Sequence, residues 1–142
     1  MDIAPLSLLK NKKRGFTLIE IVIVISILAL LAALSFILAM NAFITSNESA
    51  AQQGLNVFRT GMEKYRNINF MYPPDLATLG VGNPSYVDPV LASGTRRGYT
   101  YTLSNTGTNT YTITATPQQP NVTGRRSFQV DQSGEIFDIT GP

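Results

Sequence analysis

The chain contains no cysteine, no histidine and no tryptophan among its 142 residues. Without cysteine there is no disulfide framework and no thiolate nucleophile, and the redox compartment cannot be read. Without histidine, the side chain that most often serves as general base or metal ligand near neutral pH is missing. Charge is scarce, with 11 Lys and Arg against 9 Asp and Glu, and no two carboxylates form an obvious acid–base motif. Neither a glycine-rich phosphate loop nor a serine elbow is present. The expectation is therefore a protein that is not an enzyme and has no cofactor or metal site. Asp131-Gln132-Ser133-Gly134-Glu135 is too short for an EF-hand and reads as a hairpin turn. The formal sequons Asn47-Glu48-Ser49 and Asn121-Val122-Thr123 are patterns short enough to arise by chance.

What charge there is lies unevenly. Lys10, Lys12, Lys13 and Arg14 precede Phe16 with only Asp2 against them, so the chain from Phe16 onward keeps 7 basic and 8 acidic residues. The basic isoelectric point near 9.0 belongs to the first residues. Ile21 to Asn47 carries no charge, and Ile21 to Met40 is almost wholly apolar. Twenty helical residues span ~30 Å, the thickness of a bilayer's hydrocarbon. Basic residues directly before the segment and none soon after it orient the N-terminus to the cytoplasm. A cleaved secretory signal would have a shorter apolar core and a better small-residue site than Ala33-Leu34-Ser35.

Glu20 stands out in this setting. A lone carboxylate at mid-bilayer costs ~2.5–3.5 kcal/mol on insertion scales, so it needs a partner or a task. KKRGFTLIEIVIVISILALLAALSF, with its basic residues, Gly, Phe, Thr, Leu, Ile and Glu before an apolar helix, closely resembles the N-terminus of type IV pilins and of the related pseudopilins of type II secretion. The resemblance implies cleavage by a prepilin peptidase after Gly15 and N-methylation of Phe16. It also implies that Glu20 guides subunit assembly by meeting the Phe16 amine of a neighbour, since a buried ion pair is tolerable where a lone charge is not. Implied partners are the peptidase, other pilin copies, the inner membrane and its assembly platform. The chain departs from the pattern at Ala29 and Ile37, where many pilins carry Gly and Pro. Neither of these two residues breaks a helix.

Beyond the apolar run, Ala51, Leu55, Phe58, Met62 and Tyr65 recur at spacings of four and three, a stripe that reads as the core face of a continuing helix. Gly54 and Gly61 weaken that helix by propensity. Residues 67–95, rich in Pro, Gly and Asn, read as a loop with one short turn near Asp75 to Leu79. From Arg96 the period becomes two. Tyr99, Tyr101 and Leu103, then Tyr111, Ile113 and Ala115, alternate with Thr and Ser, and Phe128 and Val130 repeat the pattern before DQSG leads into EIFDI.

The expected fold is α+β: a leader over 1–15, a transmembrane and filament-core helix over 16–40, and a periplasmic head over 41–142. In the head, helix 41–66 and loop 67–95 precede a four-stranded antiparallel sheet over 96–139, the pilin fold. In a simple meander Arg96, Arg97, Arg125 and Arg126 gather at one sheet edge, with Tyr99 and Tyr101 near enough to stack. That edge is a candidate for anions such as DNA phosphates, beside the plainer reading of a solvated face neutralised by Asp138. The function expected is a structural subunit of a type IV pilus or related filament in the inner membrane and then on the cell surface. The absence of cysteine and the short length favour a type II secretion pseudopilin as the alternative. A membrane-anchored periplasmic binding domain that never polymerises is the alternative of another class.

Overall fold

A computed structural model describes residues 15–140. The expected leader therefore lies outside the described residues except for Gly15. The longest element is helix α1 (Leu18–Asn69). The chain divides into two compact units between Ile37 and Leu38, each of which has a physical logic of its own.

In the first unit nearly every apolar side chain of α1 is exposed, from Leu18 through Ile37. The helix is long and apolar enough to cross a membrane by length and composition. Its few hydroxyls cause no conflict with that role. Ser26 donates to Val22 O at 2.7 Å and Ser35 to Leu31 O at 2.8 Å, which satisfies them within the helix without need of water. Ala29 and Ile37 fall inside uninterrupted helix.

In the second unit, α1 buries Ala51, Leu55, Phe58 and Met62 in one core with an antiparallel sheet, and Ile44 is buried outside that cluster. The sheet is a five-stranded meander in the order β1 (Thr95–Arg96), β2 (Tyr99–Ser104), β3 (Thr112–Pro117), β4 (Phe128–Asp131), β5 (Ile136–Asp138). It has one strand more than expected, because Thr95 and Arg96 pair with Thr100 and Tyr99 through a two-residue turn. Arg97 (φ 48) and Gly98 (φ 74) take the left-handed conformations that such a turn requires. Two residues are too few to show a period.

The inward face of the sheet carries Tyr99, Tyr101, Tyr111, Ile113, Ala115, Phe128 and Val130, all buried. This is the alternation read from the sequence. Tyr99 and Tyr101 are thus core residues and cannot stack on an external ligand, contrary to the expectation. Gly54 and Gly61 also change meaning. A Cβ at Gly54 would strike the Tyr101 phenol, and one at Gly61 would strike Val87, so these glycines let the sheet and loop approach the helix. The 67–95 segment contains the expected turn, a 3-10 helix over Ala77–Gly80 with Thr78 donating to Asp75 Oδ1. It also contains helix α2 (Pro89–Ala92), capped by Asp88. The Asp-Pro pair is its signature.

Candidate functional site

At the start of α1, Thr17 and Glu20 cap the helix reciprocally. Thr17 N and Oγ1 donate to Glu20 Oε2 at 2.8 and 3.0 Å, and Glu20 N donates to Thr17 Oγ1 at 3.3 Å. This is a capping box, T-x-x-E, which the sequence offered in plain view. Glu20 therefore has a local partner as well as any partner beyond the chain. Gly15 and Phe16 precede it in non-helical conformation, and Phe16 is 83% exposed. A Cβ at Gly15 would meet nothing within 4 Å, so no contact among the described residues requires glycine there.

The four arginines are not one cluster. Arg96 and Arg97, at the β1–β2 turn, border a hollow of about 350 Å³ with Ser46, Ser49 and Gln53 of α1. Arg125 donates to Asn41 Oδ1 at 2.9 Å, and Arg126 pairs with Glu48 at 2.8 Å. At ~100° per residue the helix positions meeting Arg96 and Arg97 lie on average roughly 140° round from Asn41 and Glu48. The two pairs flank the helix on different sides. The cause is the path of residues 118–127, which is set by tertiary contacts. Gln118 N donates to Gly98 O at 2.8 Å, Asn47 Nδ2 donates to Thr123 O at 2.9 Å, and Tyr99 Oη donates to Arg126 O at 2.8 Å. Tyr99, buried and paired along the backbone with Arg96, reaches the Arg126 carbonyl with its hydroxyl.

Their charges also differ in availability. Arg126 is committed, with Glu48 Oε2 at 2.8 Å and Asp138 Oδ2 at 3.7 Å. The hydrogen bond to Glu48, then its charge, holds the guanidinium's pKa above its ordinary value. Among the described residues, Arg96 and Arg97 are in no ion pair.

Glu48 is the residue that sequence reasoning missed. Its side chain is 7% exposed, and it accepts from Arg125 N at 2.9 Å, Arg126 N at 3.2 Å and Arg126 Nε at 2.9 Å. Burial pushes its carboxyl up, but the Arg125 N–H and the Arg126 guanidinium outweigh that and leave the pKa below the ordinary value. Ile44, Glu48, Ala51 and Leu55 share the spacing of the core stripe, and that was the available signal. Asn47 is buried beside it, which leaves the first sequon inaccessible.

Comparison with known proteins covers both units. Residues 10–36 match the family described as a prokaryotic N-terminal methylation motif. Residues 40–127 match the family described as type IV minor pilin ComP, DNA uptake sequence receptor. The chain is 32% identical over 105 residues to the fimbrial protein EcpC of Eikenella corrodens, spanning 70% of this chain and 69% of that one. No solved structure gives a significant match.

Proposed function

Since this chain belongs to the type IV pilins, we propose that it is a minor subunit of a type IV pilus, processed by a prepilin peptidase and polymerised through its N-terminal helix with copies of itself and other pilins. The observation that carries this is the succession of the methylation motif and the minor-pilin head along one chain, residues 10–36 and then 40–127. The peptidase cuts the bond between Gly15 and Phe16. No contact among the described residues requires glycine at 15, which fits a demand imposed by a protein that handles this bond. The membrane helix holds the subunit in the inner membrane, head outward, until the assembly platform extracts it. Glu20 then receives the Phe16 amine of a neighbour. N-terminal mass spectrometry of the native protein tests the processing step: the expected start is N-methylated Phe16, and an intact leader or a start near Phe36 overturns it.

A specific surface supports a second part of the proposal, that the head binds DNA. Arg96 and Arg97, in no ion pair among the described residues, border a hollow together with Ser46 and Ser49, a donor set suited to phosphate. The ComP family's description as a DNA uptake sequence receptor supports the same reading. The measurement is duplex binding by the full chain in detergent micelles across a salt series. Each phosphate contact contributes about 0.9 to the slope of log affinity against log salt, so Arg96→Ala/Arg97→Ala is expected to reduce the slope by nearly 2. No salt-dependent binding, or an unchanged slope, leaves the pair as an ordinary solvated face.

A further inference from the structure

The second unit opens with Leu38, Ala39 and Met40, the end of the apolar run, and its cover of α1 starts almost at once. Leu38 is 70% exposed, whereas Ile44 is 4% exposed. The base of the head therefore lies at the level where the apolar run ends. Arg125 marks that level: its Nη2 donates to Asn41 Oδ1, one residue past Met40, at 2.9 Å, and among the described residues its guanidinium is in no ion pair. Headgroups add ~5–7 Å to each side of the hydrocarbon, so a group at Asn41 falls among them. Arg96 and Arg97 border Ser46 and Ser49, which lie ~9–14 Å beyond Met40 along the helix axis. Long side chains bring their charges within a Debye length, ~8 Å, of that layer. All three arginines are exposed.

The head's charges are sorted along the same axis. Residues 38–140 hold seven basic and seven acidic side chains. At the base, four arginines meet two carboxylates, Glu48 and Asp138, and both of these are engaged by Arg126. From Arg59 outward the balance reverses, leaving three basic residues against five acidic. Asp131 and Glu135 flank the turn whose Gly134 is held by Arg59, and Asp88 follows Val87, which packs at Gly61. An anionic surface attracts one end of such a head and repels the other. Arg125 and the Arg96 and Arg97 pair also stand on different sides of α1, a spread that suits no single rigid ligand. Lipids, by contrast, surround a spanning helix on every side.

We infer that Arg125, Arg96 and Arg97 form a seat for the phosphates of anionic lipid, holding the base of the head against the membrane surface while the subunit is still in the bilayer. The inference rests on the reading of α1 as a membrane span and not on DNA binding.

The test places the full chain in phosphatidylcholine nanodiscs with rising phosphatidylglycerol content and follows the Arg125 Nε–H and the amides of Asn41 and Gly98 by NMR. Saturable shifts are expected, and added salt should abolish them. Lys10 to Arg14 precede the span and do not report at these positions. Each arginine near an anionic surface contributes a factor of about five. Arg125→Gln should thus weaken the apparent affinity about fivefold and Arg96→Gln/Arg97→Gln by more, read at the amides. Both variants change exposed side chains and leave the backbone bond from Arg125 N to Glu48 in place. Lys64→Gln, an exposed change farther out on α1, should leave the titration unaltered. Shifts that do not depend on phosphatidylglycerol, or that are equal in wild type and both arginine variants, overturn the inference. Failure to enter pure phosphatidylcholine nanodiscs overturns the spanning reading and the inference with it. The DNA titration contains no lipid, so its failure is a separate result.

Discussion

The Glu48 carboxylate ties the helix to the start of β4 with one charged group and several donors, and its loss should be felt on both sides. Glu48→Ala leaves the buried-side N–H groups of Arg125 and Arg126 without acceptors and frees a half-exposed guanidinium, an expected cost of about 2–3 kcal/mol in urea unfolding. The pH dependence has a definite sign. Because the folded carboxyl titrates below its ordinary value, the stabilisation is complete above the ordinary carboxylate range and is lost as pH falls through the folded value. Melts between neutral and acid pH should therefore fall more steeply for wild type than for Glu48→Gln. Parallel curves would show that the ion pair contributes nothing to acid sensitivity.

Among the elements, those with a repeating pattern were legible and those fixed by distant contacts were not. The stripe of Ala51, Leu55, Phe58 and Met62 and the alternation of Tyr111, Ile113 and Ala115 are periodic, so burial of one face follows directly. Strand β1 is too short to alternate. The pairing of Arg125 and Arg126 with the helix depends on how residues 118–127 fold back, which no local signal encodes. Glu48 was obscured because a charge in a sequence reads as surface. Gly54 was read as a weakness, since Ala is better in a helix by roughly 1 kcal/mol. In the structure the opposing term is larger: the added methyl would overlap the Tyr101 phenol, and overpacking costs about 1–3 kcal/mol. Gly54→Ala is expected to lower the thermal midpoint, whereas a rise would mean that Tyr101 shifts freely.

On the scale of the whole molecule, Glu20 serves two expected roles that one pair of substitutions can separate. Gln can still accept from Thr17 in a capping box but cannot pair with an amine as a charge. If assembly rests on the ion pair, Glu20→Gln and Glu20→Ala should both insert into the membrane and both be depleted from sheared filaments. If assembly rests on the cap, worth about 1 kcal/mol, only Glu20→Ala should be depleted. The links between α1 and the sheet's loops have a mechanical consequence. Asn47 holds Thr123, Glu48 holds Arg125 and Arg126, and Arg59 holds Gly134, attachment points spread over ~18 Å of helix axis. A tensile load entering through the helix would act on these bonds in shear and in parallel. They would have to yield together rather than peel one after another, which is the arrangement that resists traction best.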